Sequence, residues 1–373
     1  MSERIEKRAS LSVESCPDCA GESGRFLVSG GVPSRRPAGV AGVDRREFLK
    51  ISAAAGAVVA LGGTVPGSLK AAPKPDDPAE LIVKELYHSL TPKQKETICF
   101  PWDYQDPQRG LLRTRISNNW HITQPVINSD FYTPDQRRMI RDIFENIIQP
   151  EWHAKIDKQL QDDAGGFGNS QNIAIFGNPD EGRFQFVMTG RHMTLRCDGN
   201  SAEHYAFGGP IFYGHAASGF NEKPGHPGNV FWEQALAANK VYEMLDGKQR
   251  KQAEVNVRIR ENAVGFRGPG GEFPGIPISE LTSDQQEEVR RVLAKLLEPY
   301  RNADREEVQA CLKAQGGLEK CSLAFYTVDD LGDDRIWDNW RIEGPSFVWY
   351  FRGVPHVHVW VHIADTDEVP LNA

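Results

Sequence analysis

Four stretches of this chain open with the same chemistry: LTPKQKETI from Leu90, YTPDQRRMI from Tyr132, LDGKQRKQA from Leu245 and LTSDQQEEV from Leu281. In each, a Thr or Asp is followed three residues on by Gln. That is the capping-box pattern: the first side chain accepts from the amide at N3, and the Gln at N3 reaches back to the cap's own amide. Pro92 and Pro134 fall at the first helical position, where a missing N–H costs nothing. The pattern predicts helices opening at Thr91, Thr133, Asp246 and Thr282. The fourth carries an apolar stripe, Val289, Val292, Leu293, Leu296 and Leu297, at the spacing of one buried face. A duplicated unit would also produce such recurrence. Because the intervals are uneven, the recurrence reads as shared helix-start chemistry and not as a solenoid.

Between the second and third of these helices the period changes. Asn172 to Phe176 is a short apolar run that ends in the turn signal Gly177-Asn178-Pro179. Arg183 to Cys197 alternates: Met193, Leu195 and Cys197 point one way, His192, Thr194 and Arg196 the other. Gly190 interrupts, as at a bulge or a close backbone approach. Near the end, Ile342 to Phe351 is β-branched and aromatic, Arg352-Gly353-Val354-Pro355 turns, and His356 to Ile363 returns as the second arm of a hairpin. Helices, strands, helices and strands in that order predict an α+β fold, with capped helices packed on a largely antiparallel sheet and a C-terminal β-hairpin.

The 373 residues fit one large domain or two ordinary ones. Residues 43–63, VDRREFLKISAAAGAVVALGG, decide where it starts. Arg45 and Arg46 precede a Gly- and Ala-rich apolar run that is too short to span a bilayer comfortably. Pro66, Pro73, Pro75 and Pro78 follow as a linker. The segment resembles a twin-arginine export signal. Residues 1–72 thus read as a long n-region, signal and linker, and residues 73–373 as a single α+β domain. The expected location is periplasmic or extracellular. The expected partner is the twin-arginine export machinery, with membrane contact only through an uncleaved signal. A net charge of −8 and the lack of a Lys/Arg block interleaved with aromatics argue against nucleic acid.

Cys16 and Cys19 form a lone CxxC ahead of the signal, weak evidence for zinc. Cys311 and Cys321 flank the Gly316-Gly317 turn. A disulfide there competes with the simpler reading of small buried hydrophobes, which is favoured because twin-arginine substrates fold before export in a reducing compartment.

The chain resembles the domain-of-unknown-function family 3500, a bacterial group. The matching pieces, in order, are the LTPKQ-type helix starts, IAIFGNP from Ile173, GRHMTL from Gly190, GGPIFYG from Gly208, GIPISELTSDQQ from Gly275, WRIEGPSFVWYF from Trp340 and PHVHVW from Pro355. The family's GHH is matched by Gly190-Arg191-His192, so only its second histidine carries over; its HxH is matched by His356 and His358. Where the family often has an acidic residue on the penultimate strand, this chain has Tyr350. The resemblance implies no mechanism.

The stretch HVHVWVH, His356 to His362, is the strongest candidate site. On a strand, His356 and His358 share a face with Cα atoms about 6.6 Å apart. Two imidazoles at that spacing can converge on one metal ion. His362 lies about 13 Å beyond His358, too far for the same ion, and is expected in a supporting position or in solvent. Val357, Val359, Val361 and Ile363 point to the core. Trp360 is expected to wall the site. If the strands neighbour each other, His192 completes a three-histidine set, with Arg196 placed to orient an anionic substrate. Imidazole suits one transition metal ion such as Zn, Fe or Cu.

Other stretches carry less. Gly165 to Gly168 lacks the Lys and Ser/Thr of a phosphate loop. Gly265 to Gly271 reads as a surface loop. Ser218 and Ser346 lack a nucleophile-elbow context. His204, Tyr205 and His215, like Trp120-His121, read as loop packing. Three function classes remain: an exported metal-dependent enzyme, hydrolase-like; a redox or oxygen-using metalloprotein; and a non-catalytic extracytoplasmic binding or envelope protein with structural histidines.

Overall fold

The computed structural model describes residues 73–218, 228–330 and 334–373. Arg45, Arg46, Cys16, Cys19 and Gly219 lie outside the described residues. All four predicted capping boxes form, with both reciprocal hydrogen bonds, at Thr91, Thr133, Asp246 and Thr282.

The first half of the fold runs from 78 to 215. It comprises α1 (Pro78–Ser89), α2 (Pro92–Ile98), β1 (Cys99–Phe100), the small ribbon β2 (Gln105–Asp106) and β3 (Gly110–Leu111), α3 (Pro134–Ile147) and α4 (Pro150–Ala164). Four strands follow: β4 (Asn172–Asn178), β5 (Arg183–Gly190), β6 (Met193–Cys197) and β7 (Ile211–His215). The second half, 232–363, repeats that order. It has α5 (Trp232–Met244), α6 (Gly247–Ala253), β8 (Glu254–Val255), the extra β9 (Ile276–Pro277), α7 (Ser283–Leu297) and α8 (Asn302–Ala314). It closes with β10 (Ser322–Tyr326), β11 (Asn339–Gly344), β12 (Phe347–Arg352) and β13 (Val357–Ile363).

One sheet joins the halves in the order β1-β4-β5-β6-β7-β13-β12-β11-β10-β8, with β9 beside β10. Reading inward from either edge gives corresponding strands. Each edge pair is parallel, and the other neighbours in that order are antiparallel. The halves meet where β7 pairs β13. The uneven spacing of the capping boxes therefore hides a twofold repetition, a correction to reading them as shared local chemistry alone. The box glutamines also bond to each other in matching pairs, Gln94 to Gln136 at 2.8 Å and Gln249 to Gln285 at 2.9 Å.

The helices cover one face of the sheet. Met193, Leu195, Cys197, Val357, Val359, Val361 and Ile363 are buried in the main core, as the alternation predicts. The opposite face is roofed by irregular segments carrying Ile116, Trp120, Ile122 and Val264. Trp120 is a packed loop residue whose Nε1 donates to Thr194 at 2.9 Å.

Two strand assignments need correction. Ile342 to Phe351 is not one strand. The chain reverses after Gly344, which pairs Phe347, leaving Pro345 and Ser346 as the turn. Proline cannot donate to a ladder, so a tight turn is where it is tolerated. Arg183 to Cys197 likewise divides at Arg191-His192, because Gly190 pairs Met193. A side chain on Gly190 would meet the Ser170 carbonyl at 2.6 Å, so the expected close backbone approach is present. Cys311 and Cys321 are free and buried, each acting as a small hydrophobe.

Candidate metal centre

His192 does not lie on a strand face. It occupies the β5–β6 turn with φ of 54°, in the left-handed region, where its amide donates to Asn119 Oδ1 at 3.0 Å. Met193 pairs Tyr213, so His192 stands one step beyond, level with Gly214. Gly214 in turn pairs His358. The two histidines thus flank a glycine on the strand between them, and their rings meet over the space that glycine leaves open.

His356 precedes β13 and follows the cis Val354–Pro355 bond. His192, His356 and His358 are all completely buried. Their Nε2 atoms stand 3.1 Å (His192–His356), 3.1 Å (His192–His358) and 2.9 Å (His356–His358) apart. Three nitrogens bound to one ion at the usual zinc distance stand about 3.3 Å apart in a tetrahedron and about 2.9 Å apart on an octahedral face. The observed triangle falls between these, so the three nitrogens could hold one ion.

Two of the far ring nitrogens have a carboxylate beside them. His192 Nδ1 lies 2.8 Å from Asp163 Oδ2, and His358 Nδ1 lies 2.9 Å from Glu261 Oε2. A carboxylate at Nδ1 holds the proton there and leaves Nε2 free as a ligand. Arg352 Nη2 also lies 2.6 Å from His358 Nδ1, and Arg352 pairs closely with Glu261. A guanidinium only donates, so Arg352 favours a lone pair on Nδ1 while Glu261 favours a proton there, and the two contacts oppose each other on the His358 tautomer.

Burial, then Arg352 and the two neighbouring rings, push His358 well below the usual imidazole range. Burial alone would raise Asp163, but His192, Gln159 and the Ala216 amide outweigh it and hold the carboxyl at about 2. Asp162, next to it, lies 2.9 Å from Nε2 of the buried His215. Two acids in the last turn of α4 sit at the negative end of the helix dipole, where carboxylates are disfavoured and cations favoured. That misfit is the sequence signal that could have singled out Asp163. Glu261, in an irregular segment, gives no such signal; Gly214 stood only within the family-matching GGPIFYG, and Arg352 only in the predicted turn.

The remaining predicted residues lie elsewhere. Arg196 is buried, and its donors serve the carbonyls of Pro210, Arg113 and Arg115. It clasps backbone, which corrects the substrate-orienting role expected of it. Nor does His362 face solvent: its Nδ1 donates to Val264 O at 2.9 Å and its ring stacks on Phe266 at 3.8 Å. Trp360 packs edge-on against Phe212 and its Nε1 donates to Glu261 at 3.3 Å, behind His358. Tyr350, where the family often has an acid, pairs Trp360 on this face. His204 pairs with Asp365, and the Tyr205 hydroxyl donates to Pro370 O.

Comparison with known families gives two matches. The model of the family described as a protein of unknown function, DUF3500, covers residues 74–364, and a twin-arginine translocation signal matches residues 42–62. Neither the curated proteins nor the solved structures yield a match. The signal directs export across the membrane, and among the described residues no helix is long and apolar enough to cross one. The chain belongs to the DUF3500 family of proteins of unknown function and carries a twin-arginine signal ahead of it.

Proposed function

We propose that this exported protein holds one transition metal ion at an open three-histidine centre, and that the centre serves hydrolase-like chemistry on a small molecule. The observation that carries the reading is the convergence of three buried Nε2 atoms at 2.9–3.1 Å, two of them backed by carboxylates. With Nδ1 protonated beside Asp163, His192 turns an unprotonated Nε2 towards the Nε2 atoms of His356 and His358. A cation among the three nitrogens would accept a lone pair from each of them. The depressed pKa of His358 disfavours a proton in that role.

A zinc ion there would supply a bound water acidified towards about pH 7. Asp163 fixes the His192 tautomer, Arg352 and Glu261 balance each other's charge beside His358, and Trp360 packs with Phe212 behind that ring. Bound iron or copper would move the reading to the redox class.

The test is metal analysis of protein purified without a histidine tag, beside the double variant His356→Ala/His358→Ala. About one equivalent in the wild type and none in the variant is expected. Equal metal in both refutes the centre. A metal-free wild type whose double variant loses stability establishes the non-catalytic alternative with structural histidines.

A further inference from the structure

The row that carries the metal-ligating histidines continues past them across the sheet. His358 pairs Arg352, and Arg352 pairs Asn339. Phe325 pairs Trp340, which sets Tyr326 level with Asn339. Beyond Arg352 the row opens into a cleft of about 490 Å³, roofed by residues 257–262. Tyr326, Asn339, Tyr350, Arg352 and Trp360 form its inner wall, and Arg260 stands at its edge. The volume suits a small organic molecule.

Two polar atoms on that wall lack partners. Tyr326 Oη and Asn339 Oδ1 are buried and make no hydrogen bond, although their residues are only 2% and 3% exposed. Buried polar atoms in such a position cost stability unless something satisfies them. Asn339 Oδ1 accepts only, so its missing partner is a donor; a hydroxyl meets both it and Tyr326. Charge selects the other end of the ligand. Arg258 is taken by Asp329 at 2.5 Å and Arg352 by Glu261, whereas exposed Arg260 has no carboxylate partner among the described residues. The lining thus carries one surplus guanidinium, whose fork matches a carboxylate.

We infer that this cleft binds a small hydroxylated carboxylate, its carboxylate on Arg260 and its hydroxyls on Tyr326 and Asn339. The site goes beyond the metal reading, since none of these three groups touches the histidines, yet the shared row sets its ligand beside the Arg352–Glu261 pair that backs His358.

The experiment is calorimetric titration of the full chain with three probes: gluconate, the neutral polyol sorbitol, and hexanoate, which lacks hydroxyls. Titrations are run on untreated and chelator-stripped protein, so that gluconate's own affinity for metal is removed. Gluconate should bind at least roughly tenfold more tightly than either control. Arg260→Gln should lower gluconate to the sorbitol level and leave sorbitol unchanged. Tyr326→Phe should weaken gluconate and sorbitol but not hexanoate. Three equal affinities, no gluconate binding, or gluconate binding indifferent to both substitutions would overturn the assignment. Loss of metal in the double histidine variant with gluconate binding intact leaves this site standing, and the reverse result removes this site alone.

Discussion

Gly214 faces His358 directly across the β7–β13 pairing, and a Cβ there would meet the Val357 carbonyl at 2.3 Å and His358 Cδ2 at 3.4 Å. The glycine keeps the two halves of the sheet close and leaves room for the His192 ring above it. Gly214→Ala should therefore cost stability, on the order of 1–3 kcal/mol, because the clash is with backbone and cannot be relieved by a rotamer. It should also lower metal occupancy by spreading the triangle. Urea denaturation and metal analysis of the variant check both; a wild-type metal content and midpoint would contradict the account.

Asp163 should matter to metal affinity without touching the ion. Asn at 163 preserves shape but removes the charge that holds the His192 Nδ1 proton. Affinity measured by chelator competition should fall by roughly 10- to 100-fold, the usual effect of losing such a support. Glu261→Gln is expected to act in the same direction through His358. Unchanged affinity in both variants would remove the carboxylates from the centre.

His362 makes a pH prediction. Its ring is buried against Val264 O, Phe266 and the Tyr205 ring, with Arg196 the nearby charge, and burial lowers its pKa from 6.5 to about 4. As pH falls below 6.5 the unfolded chain takes up a proton that the folded chain refuses. Stability is therefore present above 6.5 and lost progressively as pH drops towards 4, by about 3 kcal/mol from this group. Denaturation curves at several pH values should be less steeply pH-dependent in His362→Leu than in the wild type. Parallel acid limbs in the two proteins would sink this assignment.

The paired capping glutamines should couple energetically. Gln136 caps α3, donates to Ser89 O at 2.9 Å and bonds Gln94, which caps α2 and reaches Phe131 O at 2.6 Å. Replacing either with Ala leaves buried partners unsatisfied and should cost about 2 kcal/mol. The double replacement should cost less than the sum, with a coupling of at least about 0.5 kcal/mol. Strict additivity in a double-mutant cycle would show that the pair is only adjacent.

Local chemistry was readable where neighbours in sequence supply it. The four helix starts follow from side chains three residues apart, and the faces of β6 and β13 from alternation, so the α+β class and the pairing of His358 on β13 with His356 just before it needed no tertiary information. The repeat in the element order was harder to see, because loops of unequal length separate equivalent helices and blur any period. His192 was placed in the right neighbourhood for an incomplete reason. Alternation put it on a strand, whereas the Gly190–Met193 pairing makes it a turn residue whose backbone turns left-handed.

The amino-acid sequence by itself determined the export signal, the class of fold and which three histidines deserved attention. Only the tertiary structure decided that they meet. His192 and His358 are 166 residues apart and belong to different halves, and they converge because the sheet closes at β7–β13 with a glycine between them. Two of the groups beside them, Asp163 on a helix end and Glu261 in a loop, are also long-range partners, whereas Arg352 meets His358 across its own hairpin. Register and chain crossing place them, and neither leaves a periodic mark in the sequence.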